Sequence, residues 1–349
     1  MKISKSGKLQ IVAVNLLLAI FVFSLVECSA QSTPKRALLA LSKTNHTLSI
    51  VDPTNLNIVT KIPVGEDPHE LVASSDGKTA YVCIYGGGRF YEINVIDLVT
   101  QKPVKNIDTR PLFGPHDISY VNGKAWFTAE GSKAVGRYDP STDKLDWSMG
   151  TGQDRTHMIY VSESGQKIYT TNMGPGTVSI LEGKVVQPGP NAPPGAKPNE
   201  VWEQTVIAVS KGSEGFDVSP DSLELWTAAS EDGMIWIVDL AGKKLAAKVD
   251  AKVFGANRLK FTPDGKQVFV SSLRTGELTI FDAKTRKEVK RLKVGKGAAG
   301  ILMDPVGSRA FVAVSADNYI AVIDLKTLKD VGHLDVGGNP DGMAWAIQR

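Results

Sequence analysis

Apolar and polar residues alternate along this chain in short bursts, and the bursts recur. Aligned on the last residue of an Asp-Gly-like turn, the phrases are PHELVASSDG, PHDISYVNG, THMIYVSESG, SEGFDVSPDS, ANRLKFTPDG and AAGILMDPVG, with PDGMAWA at the C-terminus. The slot of the first histidine is filled in turn by His69, His116, His157, Glu214, Asn257, Ala299 and Asp341. Two places on, every copy is apolar: Leu71, Ile118, Ile159, Phe216, Leu259, Ile301 and Met343. Two further on stand Ala73, Tyr120, Val161, Val218, Phe261, Met303 and Trp345. A period of two predicts a strand, and each phrase therefore opens one.

A second signature follows each turn. It ends at Asp52, Asp97, Asp139, Glu182, Asp239, Asp282 and Asp324, mostly before a Thr-Lys-like turn and another β-branched run. Aspartate suits such turns because its side chain bonds nearby backbone amides. Each unit reads as four short antiparallel strands in about 40 residues, the period of a propeller blade. No helix-length pattern of 3.6-residue period is visible after residue 30. Three strand phrases open the mature chain and a lone first strand, GMAWAI, ends it. Together they complete one blade, so the predicted fold is an all-β, seven-bladed β-propeller with a closed ring, which hides its sheet edges.

The phrases SSDGKTAYV, TPDGKQVFV and VIDLKT, with VGxxP lead-ins at Val64 and Val336, resemble YVTN-repeat seven-bladed propellers over residues 37–347. The resemblance implies the fold. It leaves function open, because such proteins include periplasmic or surface binding proteins and enzyme-like propellers such as lactonases.

Residues 1–30 stand outside the repeat. Lys2, Lys5 and Lys8 precede an apolar stretch, Ile11 to Val26, and small residues at Cys28 and Ala30. That layout is a secretory signal peptide cleaved after Ala30, which leaves residues 31–349 as one propeller domain, periplasmic or secreted, with no transmembrane segment. LVEC at Cys28 offers lipid anchoring as the alternative, although Glu27 stands where a small residue is wanted. Cleavage leaves Cys83 as the sole cysteine, so no internal disulfide forms, and its apolar surroundings make it a packing residue. Formal charge is +3, of which the leader carries +2, so the mature chain is near +1 (3 − 2). Such a balance argues against nucleic acid or an anionic membrane surface as the main partner.

One interval, His157 to Glu214, is stretched to 57 residues by the five-proline segment Val185 to Gln204. It reads as a loop insertion between the third and fourth strands of one blade: a solvated excursion, or an arm for a partner.

In a propeller the first strand of each blade lines the channel. The recurring slot then becomes a ring at the channel mouth on the top face. Behind it lie the loops between second and third strands, carrying His46, Tyr85, Arg89, Glu130, Asn172, Glu231, Arg274 and Asn318, and Arg155 and Arg258 flank ring positions. Three readings of the ring stand side by side. His69, His116, His157 and Glu214 form a set for zinc or another first-row ion. The oxygen-rich remainder, Glu214, Asn257 and Asp341, suits Ca²⁺ or Mg²⁺. A metal there would serve a lyase or lactonase. Without metal, the histidines with Tyr85, Arg155, Arg258 and Arg274 would hold a small polar ligand or a protein partner. In the third reading the histidines only satisfy backbone groups between blades. YGGGRFY lacks the ending of a phosphate loop, and neither a haem-attachment Cys-x-x-Cys-His nor a Gly-x-Ser-x-Gly elbow is present.

Overall fold

Seven four-stranded antiparallel sheets form a ring in the computed structural model, which describes residues 31–191, 193 and 195–349. The protein is a seven-bladed β-propeller. Blades 2 to 7 are continuous, at residues 68–108, 115–150, 156–208, 213–250, 256–293 and 298–334. Blade 1 takes three strands from residues 36–63 and its innermost strand, Pro340–Ile347, from the other end of the chain. That strand pairs with Arg36–Ser42, so closure follows the sequence reading. The stretch expected to be a signal peptide, with Cys28, lies outside the described residues, and no described helix is long and apolar enough to cross a membrane.

The apolar positions of the repeat pack between blades. Leu39, Ile50, Val82 and Ile96 belong to one such core, and Phe269, Ile280, Val312 and Ile323 to another. Cys83 is buried there, and burial pushes its thiol well above the usual range. The Pro-rich segment is more ordered at its ends than a loop: strands run to Val186 and resume at Asn199, giving a long hairpin with a shorter tip. β-Branched and aromatic residues, Val185, Val186, Val201 and Trp202, keep the ladder going before the prolines end it.

Every innermost strand carries a bulge at the same place. In blade 2, Pro68 faces Ile84 and Leu71 faces Val82, so His69 and Glu70 together oppose Cys83. The same slip recurs in the other six blades. A bulge re-aims side chains and bends its strand. Here it sets two consecutive residues of each blade at the hub, the ring slot and its successor. Hydroxyls of the preceding blade pin the ring backbone. Thr128, Thr171 and Ser271 donate at 2.6 Å to the carbonyls of His157, Glu214 and Ala299.

Three successors are glycines, Gly215, Gly300 and Gly342, where the next blade comes closest. A Cβ at Gly342 would collide with the His69 carbonyl, and one at Gly215 with the Asn257 carbonyl. Gly342→Ala is therefore expected to cost about 1–3 kcal/mol through forced backbone movement, read as a lower denaturation midpoint at unchanged slope.

Candidate functional site at the hub

The ring slots are set by the turn that leads into each blade. Two residues before every slot the backbone is left-handed, at Asp67, Gly114, Arg155, Gly212, Gly255, Gly297 and Asn339. Glycine takes that conformation freely, whereas other residues carry a steric penalty. Two of the three exceptions carry charged side chains that reach the hub. Asp67 approaches His69 Nδ1 at 3.5 Å, and Arg155 donates from Nε to Glu130 Oε1 at 3.0 Å. Arg155→Gly is expected to leave the melting temperature within a few degrees, because lost strain offsets a lost ion pair. It should still weaken any ligand held through Glu130, as a titration would show.

The ring closes as expected from the repeat. The His69 and His116 rings lie 4.4 Å apart, and those of His116 and His157 lie 3.7 Å apart with a 34° tilt. His157 Nε2 is 3.5 Å from Glu214 Oε1, and Asn257 Nδ2 donates to the same oxygen. Asp341 returns to His69, 3.9 Å from its Nε2, and Lys43 Nζ bridges both at 3.3 and 3.2 Å. Tyr85 leans on His69 and His116. A groove of about 430 Å³, lined by Lys43, His46, Asp67, Gly86 and Arg89 among others, opens beside the His69 edge.

Glu130, in the short turn Glu130–Ser132 behind the ring, is the anchor of this site. Its Oε1 accepts from the Tyr85 hydroxyl at 2.8 Å and from Arg155. Its Oε2 meets His157 Nδ1 at 2.6 Å. Burial would raise the Glu130 carboxyl, but His157, Tyr85 and Arg155 hold it down at about 2. Burial would likewise lower His157, but Glu130 and Glu214 hold it up at about 9. Without a metal, His157 is therefore an imidazolium between two carboxylates. His116, only 2% exposed, is pushed well below its usual value by burial and by its histidine neighbours, and is neutral. His116, Glu130 and His157 stand close enough to hold a metal ion, with ligand-type atoms within 4.8 Å of one another.

Beneath the ring lies a second tier made by the bulge successors. Arg258 of blade 6 crosses the hub to pair with Glu70 of blade 2. Its Nη1 lies 2.8 Å from Met158 Sδ of blade 4, and Asp341 Oδ1 is 3.7 Å from Nη2. Burial pushes the Glu70 carboxyl up to about 8 although Arg258 pulls it down. Asp117 accepts the Ile118 and Ile159 amides at 2.8 Å, which ties blade 3 to blade 4.

Among the residues singled out from sequence, His69, His116, His157, Glu214, Asn257 and Asp341 meet in the ring. Tyr85 and Arg155 join it through Glu130. Arg258 is a strut below it rather than a rim residue. Arg274 is exposed on its loop, and among the described residues it makes no hydrogen bond or ion pair. Lys43, Glu70 and Asp117 escaped the sequence reading. The signal for the last two was the residue next to each slot, which a two-residue period assigns to the opposite face.

No family model matches the chain, and no curated protein matches it. Solved structures do. A functionally unknown protein from Desulfotomaculum acetoxidans is 14% identical with a TM-score of 0.72, over 90% of this chain and 99% of that one. A candidate 6-phosphogluconolactonase from Bacteroides fragilis is 14% identical with a TM-score of 0.70, over 90% and 99%. The Kuenenia stuttgartiensis hydrazine synthase is 17% identical with a TM-score of 0.68, over 82% and 92%. The likeness is one of fold.

Proposed function

We propose that this is an exported, YVTN-type propeller whose top-face hub binds a small polar ligand. One observation carries the reading. His69 Nδ1, His116 Nδ1, His157 Nε2, Asn257 Oδ1 and Asp341 Oδ1 are buried without a hydrogen bond, all five belong to ring slots, and three of them face only a counter-charge at 3.5–3.7 Å. His116 Nδ1 and Asn257 Oδ1, which lack even a counter-charge, cost about 1–3 kcal/mol each. A single polar guest at the mouth would meet several of them at once. Charges of both signs, Lys43 and His157 against Asp341 and Glu214, suit a ligand with donors and acceptors.

A second reading is a metal-assisted lyase or lactonase at the same hub, supported by the closeness of His116, Glu130 and His157. The fold of the candidate lactonase from B. fragilis is compatible with it. Both readings are tested on the purified chain by elemental analysis and by thermal shift against sugar lactones and their hydroxy acids, each repeated with His116→Ala. A compound that raises the melting temperature of the parent but not of the variant supports the ligand site. Metal that co-purifies with the parent and is lost in the variant supports the second reading. No shift and no metal sinks both.

A further inference from the structure

We infer that the groove between blades 1 and 2, outside the ring, is a second binding site, and that it takes a zwitterion of the α-amino acid class. Three top-face segments wall it: the turn of blade 1 with Lys43 and His46, the link into blade 2 with Glu66 and Asp67, and the loop of blade 2 that carries Gly87 and Arg89. Its volume of about 430 Å³ lies in the range of small-molecule sites. His46, Asp67 and Asn339 take left-handed backbone without being glycine, and all three line this groove. Such conformations gather at ligand sites. The inference does not depend on a guest at the hub.

The charges nearest the ring satisfy one another. Lys43 Nζ lies 3.2 Å from His69 Nε2, 3.3 Å from Asp341 Oδ2 and 3.9 Å from Asp67 Oδ1. The other Asp67 oxygen accepts the Gly87 amide at 3.3 Å. The two remaining charges are left over. Arg89 and Glu66 are exposed, and among the described residues neither forms an ion pair, with the other or with a third group. Arg89 spends one donor, Nε, on the Gly86 carbonyl at 3.5 Å, and its terminal nitrogens remain for a carboxylate. The half-buried His46 imidazole has no hydrogen bond among the described residues and is a further polar contact for a guest. A plain anion in this groove would meet Arg89 but be opposed by Glu66, and a plain cation the reverse. A ligand with both charges close together meets both, its carboxylate on Arg89 and its ammonium on Glu66.

The test uses three probes of similar size with the whole propeller. They are L-leucine, 2-hydroxy-4-methylpentanoate, in which a hydroxyl replaces the ammonium, and L-leucinamide, in which an amide replaces the carboxylate. By calorimetry leucine is expected to bind at least tenfold more tightly than either, because it alone makes both charge-assisted contacts. Arg89→Ala should bring leucine down to the level of leucinamide and leave leucinamide unchanged. Glu66→Gln should bring leucine down to the level of the hydroxy acid without weakening the hydroxy acid. Both side chains are exposed, so both variants are expected to fold. In spectra of nitrogen-labelled histidine, leucine should move the His46 ring and leave His116 and His157 in place. A hydroxy acid that binds as tightly as leucine makes this a plain anion site and overturns the inference. Leucine binding that survives Arg89→Ala, or no leucine binding at millimolar concentration, overturns it too. A shift at His116 and His157 without one at His46 overturns it while supporting a ligand at the hub.

Discussion

Arg258→Ala is expected to lower the unfolding free energy by about 1–3 kcal/mol at pH 7, because it leaves the buried Glu70 carboxyl without its partner, and by more above pH 8, where that carboxyl is ionised. For a domain of this size each kcal/mol is a fall of roughly 1.5 °C in melting temperature. The guanidinium joins blades 6, 2 and 4 across the hub, so no neighbouring blade can replace it. The double change Arg258→Met with Glu70→Leu should recover most of the loss, since removing both charges removes the desolvation cost with the attraction. Chemical denaturation of the parent and the two variants measures this. A single mutant within 1 kcal/mol of the parent, or a double mutant no better than the single, would show that the pair is not a strut.

The second large effect is in pH. In the metal-free protein His157 titrates at about 9 against an ordinary 6.5. Its contribution is complete below 6.5 and is lost as pH rises through 9. Glu130 titrates at about 2 against an ordinary 4.5, so its contribution is complete above 4.5 and is lost as pH falls through 2. The pair stays charged in the fold between about pH 2 and 9, and both contributions to stability are complete only between the ordinary values. Glu70, raised from 4.5 to about 8, costs stability progressively as pH rises from 4.5 to 8. Melting temperature should therefore be highest near pH 4.5, where the Glu130 contribution is complete and the Glu70 cost has not begun, and decline on both sides. Glu130→Gln should lower the maximum and flatten the decline between pH 7 and 9. Parallel curves for parent and variant would mean that the two residues do not titrate together.

The fold was legible because its signals are local and repeated. Alternation over six residues defines an innermost strand such as Pro68–Ala73, and the turn aspartates define the hairpins. Closure was legible because one blade lacked a strand that the other terminus supplied. The ring slots were legible for the same reason, since circular geometry converts equal register into neighbourhood. Other features depend on relations between blades. A bulge leaves little mark on a hydrophobic pattern, so Glu70 and Asp117 drew no notice in the sequence and Arg258 read as a flank of the rim. Glu130 sits on a loop whose counterparts in other blades differ in length and residue, so nothing distinguished it from Arg274. Only coordinates show that Tyr85, Arg155 and His157 converge on Glu130 and that Arg274 turns to solvent.

The pairing of Pro340–Ile347 with Arg36–Ser42 joins segments about 300 residues apart. At about 5–20 residues per second, a ribosome needs on the order of 15–60 s to travel between them. Throughout that time the opening strands of the propeller have no inner partner, and their apolar face is exposed to neighbours and to chaperones. The wheel can close only once Pro340–Ile347 has been made, and the opening strands are where a premature association with another nascent chain would begin.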